Sequence, residues 1–134
     1  MVTLGLVVAE YNASVTEEMS AAAEDAAAAR GGEIARTVRV PGVYDAPLAA
    51  DRLARKDAVD AVAVVGAIVT GDTDHDDVIG HATAQRLQQV ELDRDTPVTF
   101  GVSGPGQSGA EARERIEKGA EAAEAAIDLT EALP

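Results

Sequence analysis

Apolar positions along the chain switch repeatedly between the spacing of a strand and that of a helix. Thr3–Ala9 is an almost unbroken apolar run, the mark of a strand buried on both faces. Ser14-Val15-Thr16-Glu17 then matches a capping box, and the Ala-rich helix it opens stops at Gly31-Gly32. Glu33–Val40 reads as a second strand, with Ile34, Val38 and Val40 apolar, and Pro41-Gly42 breaks it. A helix over about residues 46–56 holds Pro47 in its first turn, where a missing N–H does no harm. Residues 58–69 supply a third strand. Residues 74–92, with Val78, Ile79, Ala82 and Leu87 at helical spacing, supply a third helix. Residues 97–102 form a fourth strand. Ser108-Gly109-Ala110-Glu111 is a second capping-box match, and the last helix runs to about Ala132.

Four repeats of strand then helix predict an α/β fold: a parallel sheet covered by helices on both faces, with right-handed crossovers. There is no linker, low-complexity segment or internal repeat, so one domain over residues 1–134 is expected. The last helix has Ala at 110, 112, 120, 122, 123, 125 and 126 and can approach another backbone closely. Its own sheet is the default partner; a subunit contact is the alternative.

Composition narrows the function. Tyr11, Tyr44 and Phe100 are the only aromatics, so the core must be built from Val, Leu, Ile and Ala, and burial between subunits would add to it. A net charge of −13 argues against nucleic acid as a partner. It suits a high-salt cytoplasm, where at molar salt the Debye length falls to about 3 Å. Such a chain is expected to lose stability at low salt. No apolar run of about twenty residues is present, so no membrane span is expected. The chain opens directly on a strand without a basic leader and has no cysteine, so a cytoplasmic location without disulfides is expected.

The candidate chemistry lies in the loops that follow the strands, which open on one edge of such a sheet. After the first come Glu10-Tyr11-Asn12; Tyr11 can stack on a planar ring or cap the local core. After the second, Gly42 allows close backbone approach, and Asp45 can cap the next helix or accept hydrogen bonds from ligand hydroxyls. After the third, residues 66–77 combine a tight turn, a helix N-terminus and His75. Gly71, Asp72 and Thr73 can surround a phosphate, and His75 is a titratable group a few residues away. This suggests proton transfer on a phosphorylated substrate, although Asp72, Asp74, Asp76 and Asp77 oppose an anion. Metal binding by Asp74, His75, Asp76 and Asp77 is disfavoured, because adjacent helical residues diverge and a second histidine ligand is lacking. After the fourth, the Gly-rich stretch 101–106 lacks the lysine of a P-loop. Phe100 is by default a core residue. Arg113 and Arg115 point to different faces of the last helix, and one of them can reach a phosphate with its planar fork.

These loops, in this order, resemble the 6,7-dimethyl-8-ribityllumazine synthase family, and its archaeal branch in particular. The matching strings are Val8-Ala9-Glu10-Tyr11-Asn12, residues 40–47, residues 66–77 and residues 96–106. The resemblance spans nearly the whole chain. It implies a flavodoxin-like three-layer sandwich on a four-stranded parallel sheet. It also implies the penultimate step of riboflavin biosynthesis, in which 5-amino-6-(D-ribitylamino)uracil condenses with 3,4-dihydroxy-2-butanone 4-phosphate. No metal or organic cofactor is implied.

By position, the resemblance implies that Tyr11 stacks on the pyrimidine and that Val43, Tyr44 and Asp45 hold the ring and ribityl chain. The backbone of Ala67, Ile68 and Val69 addresses the uracil edge. Asp72 and Thr73 bind the phosphate end, His75 shuttles protons, Phe100 closes over the ring, and Arg115 clamps the phosphate. Thr70 stands where bacterial relatives have arginine, and Lys118 follows Arg115 more closely than in those relatives, so neither inherits a firm role. The resemblance further implies pentamers or their multiples, with Phe100 and Arg115 serving a neighbouring subunit's site. Two alternatives remain open: an archaeal-type riboflavin synthase, and a non-catalytic flavin-binding or shell-forming paralogue.

Overall fold

A computed structural model of the chain describes residues 1–71 and 74–134. Strands β1 (Thr3–Ala9), β2 (Glu33–Val40), β3 (Ala61–Ala67) and β4 (Val98–Ser103) form one parallel sheet in the order β2-β1-β3-β4. Alternate residues of the central strands feed two separate cores. Leu4, Leu6 and Val8 of β1 pack with helices α1 (Ala13–Ala29) and α5 (Glu117–Ala132). Val7 of β1 and Val62 and Val64 of β3 pack with α2 (Ala46–Ala54) and α3 (His75–Arg94). Helices on both faces of a four-stranded parallel sheet give the flavodoxin-like α/β fold that the periodicity and the resemblance predict. Among the described residues, no helix is long and apolar enough to cross a membrane.

Small residues make the layers close. The last helix packs on its own sheet and on α1, with Ala120, Ala122, Ala123 and Ala126 all buried. A Cβ added at Gly119 would collide with the Met19 carbonyl of α1, and one added at Gly101 of β4 would come within 2.6 Å of the Ala122 Cβ.

Several local expectations need correction. Ser14 does not open a capping box. Asn12 occupies the N-cap of α1 in a left-handed conformation, φ 65°, and its carbonyl accepts from the Val15 and Thr16 amides. Ser14 therefore lies inside the first turn, and Glu17 instead pairs with Arg39 of β2 at 2.8 Å. The third strand is shorter at both ends than 58–69, because a turn from Lys56 to Val59 precedes it and the chain leaves the regular ladder after Ala67. The exposed Val78 is off the core stripe of α3, which is Gly80, Thr83 and Leu87.

The last helix is two pieces. A short α4 (Gly109–Arg113) precedes α5, and the turn at 114–116 between them is held by bonds spanning three residues, among them Arg115 N–H to the Ala112 carbonyl at 3.0 Å and Lys118 N–H to the Arg115 carbonyl at 3.1 Å. That tightening packs Ile116 against the α1–α5 core and leaves Arg115 on the outside. The Ser108 capping box is present as predicted: Glu111 N–H donates to Ser108 Oγ at 3.1 Å, and Ser108 N–H donates to Glu111 Oε1 at 3.0 Å. The Ser108 backbone and side chain together hold the Glu111 carboxyl below its usual range.

Candidate active site

The chain runs outward from β1 to β2, then returns to β3 and continues to β4, so its direction of winding reverses between β1 and β3. Ligands of open α/β sheets bind beyond the strand ends at such a reversal. A cleft of 340 Å³ opens at that point. Tyr11 and Asn12 enter it from the end of β1; Ala67, Ile68 and Val69 enter from the end of β3. Val43 and His75 also line it. Of the residues singled out in the sequence, the fold thus gathers Tyr11, Val43, Ala67, Ile68, Val69 and His75.

Each is placed by local structure. Tyr11 is 73% exposed, so it caps no core; its N–H donates to the Pro41 carbonyl at 3.0 Å and its ring lies over Gly42. A Cβ at Gly42 would come within 2.9 Å of Tyr11 Cδ2, so the ring's position depends on that glycine. Val43 is buried and begins a 3₁₀ turn, Val43–Asp45. Gly66 leaves space for it, since a Cβ there would meet Val43 Cγ2 at 2.8 Å. The Ile68 N–H donates to the Ser103 carbonyl and the Thr70 N–H to the Gln107 carbonyl, both at 2.8 Å. Val69 lies between these two bonded amides, on the stretch that lines the cleft. His75 is the first residue of α3 and is exposed.

Tyr44 and Asp45 share the same loop but not the cleft lining. Tyr44 is 69% exposed. Asp45 makes no side-chain cap on α2; its Oδ2 accepts from Gly42 N–H at 3.0 Å and so fixes the loop beneath Tyr11. It also borders a larger groove of 460 Å³ between β2 and α2, whose rim includes Arg36, Arg52 and Lys56. That groove contains no other expected site residue, so the smaller cleft is the better candidate.

Asp72 and Thr73 lie outside the described residues. Beside the first cleft is a second of 270 Å³, lined by Thr70, Gly71, Asp74, Asp76 and Asp77 on one side and Pro105 on the other. The Gly71 N–H, which the sequence offered to an anion, donates to Asp76 Oδ2 at 2.5 Å. No lysine or arginine is among the described residues that line either cleft, so an anion bound there needs a cation from elsewhere. Among the described residues, no group of three or more potential ligands could hold a metal ion.

Phe100 and Arg115 do not join this cleft. Phe100 sits opposite Val64 in mid-strand on the edge strand β4, 40% exposed above Leu87 and Gln88 of α3. Arg115 lies in the turn between α4 and α5; its Nη1 donates to Gln107 Oε1 at 2.7 Å, and its Nη2 is 3.6 Å from Glu111 Oε2. Sequence reasoning missed Asn12 and Asp76 as lining residues. Asn12 Nδ2 donates to the Ala67 carbonyl at 3.0 Å, joining the ends of β1 and β3, and Asp76 borders both clefts. The only signal for Asn12 was its residue type, one of the few that tolerates φ above zero.

The sheet order defines a flavodoxin-like α/β protein, and its candidate cleft stands at the reversal of strand winding. A family model for 6,7-dimethyl-8-ribityllumazine synthase matches residues 1–133. A 6,7-dimethyl-8-ribityllumazine synthase from Halorubrum lacusprofundi is 74% identical over 133 residues, 99% of each chain. One from Halobacterium salinarum is 71% identical over 133 residues, 99% of this chain and 100% of the relative. One from Methanocaldococcus jannaschii is 41% identical over 133 residues, 99% of this chain and 94% of the relative. The chain belongs to the 6,7-dimethyl-8-ribityllumazine synthase family, transferases of riboflavin biosynthesis.

Proposed function

We propose that the cleft between the ends of β1 and β3 condenses 5-amino-6-(D-ribitylamino)uracil with 3,4-dihydroxy-2-butanone 4-phosphate, the whole chain acting as one cytoplasmic domain. The observation that supports this best is the meeting of Tyr11, the Ala67–Val69 backbone and His75 in one cleft. Tyr11 stacks on the pyrimidine, and the Val69 N–H addresses its edge, with Ala67 and Ile68 shaping the same wall. Val43, Tyr44 and Asp45 form the loop along which the ribityl chain lies. Asp72 and Thr73 receive the phosphate end of the four-carbon substrate.

The arylamine attacks the ketone carbonyl, and loss of water gives a Schiff base. Phosphate then departs by elimination, the enol left behind tautomerises to a new carbonyl at C3, and ring closure of the ribitylamine nitrogen on that carbonyl releases a second water. His75 carries protons between these steps, a role that contributes roughly 10²–10⁴-fold. Holding both reactants in one cleft contributes more, since a bimolecular step becomes effectively unimolecular.

The described residues at the phosphate end are acidic, while Phe100 stands on the edge strand β4 and Arg115 in the turn between α4 and α5. We therefore propose that a neighbouring copy supplies both, Phe100 over the ring and Arg115 on the phosphate, in a pentamer or a multiple of it. Supporting this, α3 buries only Gly80, Thr83 and Leu87, while Val78 and Leu92 are 62% and 75% exposed. The direct test mixes the purified protein with both substrates and follows lumazine fluorescence. Fluorescence growing only when both are present is expected; none, with riboflavin or lumazine nevertheless bound, would mean a binding protein instead.

A further inference from the structure

Gln107 is a polar side chain only 1% exposed, and no step above uses it. It makes three connections. Its Nε2 donates to Ser103 Oγ at 2.8 Å, its Oε1 accepts from Arg115 Nη1 at 2.7 Å, and its backbone carbonyl accepts from Thr70 N–H at 2.8 Å. The amide cannot be reversed: a guanidinium only donates, so oxygen must face Arg115, and the amide nitrogen then faces Ser103. One buried residue thus fixes the end of β4, the start of the 70–77 loop and the guanidinium of Arg115.

The choice of a neutral partner matters chemically. A carboxylate at this distance would hold the fork of Arg115 but would also cancel its charge. Among the described residues, the carboxylate paired with Arg115 is Glu111 at 3.6 Å, with both side chains about half exposed, and a pair of that kind contributes little. An amide oxygen holds the fork and leaves the charge available to an anion.

We propose that Gln107 is a positioning residue for phosphate recognition: it pins Arg115 through Nη1 without neutralising it. This rests on the reading of Arg115 as the phosphate clamp. Through the Thr70 bond, the same residue also ties that clamp to the loop that forms the phosphate end of its own chain's cleft.

The test is steady-state kinetics of Gln107→Leu, Gln107→Glu and Arg115→Ala, varying each substrate in turn. Circular dichroism and light scattering check fold and assembly. Gln107→Leu removes the pin; Gln107→Glu keeps it but pairs the charge. Each is expected to raise KM for the four-carbon phosphate about tenfold while KM for the ribitylaminouracil stays within about twofold. A folded variant with wild-type KM for the phosphate substrate overturns the proposal, as does an equal rise for both substrates, the signature of general damage. Should Gln107→Leu fail to fold, Gln107→Glu decides alone. If Arg115→Ala itself leaves the phosphate KM unchanged, the clamp reading falls and the Gln107 proposal with it. If only the Gln107 variants leave it unchanged, the clamp stands and the Gln107 proposal falls.

Discussion

Asn12 holds a left-handed backbone where the two halves of the sheet part, and its side chain reaches across to Ala67. Alanine there would be strained at φ 65° and would lose the bridge, whereas glycine would lose the bridge alone. Asn12→Ala is expected to cost about 1–3 kcal/mol in a denaturant melt, from a lost part-buried hydrogen bond and a disfavoured φ, with Asn12→Gly recovering part of it. Equal melts for Asn12→Ala and the parent would contradict this. His75→Ala is expected to lower kcat by about 10²–10⁴-fold while pyrimidine binding, measured by titration, is largely kept. Loss of binding with little change in kcat would make His75 a ligand anchor instead. At this scale the sequence was most readable where chemistry tracks residue type, as with Tyr11 and His75. It was least readable for Asn12, Asp76 and Gln107, whose partners are 55, 5 and 8 residues away and are set by how the loops pack.

Elements were legible wherever composition punctuates them. β1 has the predicted bounds because its apolar run stops at Glu10, and β2 because Gly31-Gly32 precedes it and Pro41-Gly42 ends it. The break between α4 and α5 was not, since Glu114, Arg115 and Ile116 contain no breaker and three-residue hydrogen bonds have no sequence signature. Contacts between elements were likewise hidden. Asp51 of α2 accepts from Arg94 at the end of α3, at 2.7 and 3.2 Å, and from Arg55 at 2.5 Å. The hydrogen bond from Arg94 is the main cause holding the Asp51 carboxyl below its ordinary 3.8. A carboxyl depressed in the folded state contributes stability that is complete above its unfolded value and is lost as pH falls toward the folded one. Asp51→Asn is therefore expected to lower Tm at pH 7 and to flatten the loss of Tm below about pH 4. An acid limb as steep as the parent's would show that the Asp51 bridge contributes nothing.

For the whole molecule, charge and assembly decide behaviour. A net charge of −13 on 134 residues repels itself strongly in dilute buffer, where the Debye length is about 30 Å at 0.01 M, and weakly at molar salt, where it is about 3 Å. Tm is expected to fall steadily as salt is withdrawn; a melt unchanged between the two conditions would contradict this. The sequence predicted the fold class well, because alternating strand and helix periods leave few topologies. It could not place Phe100 and Arg115: neither joins the cleft of its own chain, and in the proposed assembly they serve another copy, which leaves no trace in the periodicity of one chain. In the proposed assembly, the β4 edge of each copy meets the cleft of the next, a heterologous contact that closes into a ring.

Completion of each cleft by a neighbouring copy is best tested by mixing two impaired variants. His75→Ala and Arg115→Ala chains are co-refolded at equal amounts, and lumazine formation is followed with both substrates. If His75 and Arg115 of one site come from different chains, random mixing rebuilds intact sites in roughly a quarter of cases, and activity rises well above that of either variant alone. Activity that stays at the average of the two separate variants, with mixed assemblies confirmed by mass, would place both residues in the same chain's site and contradict the shared cleft.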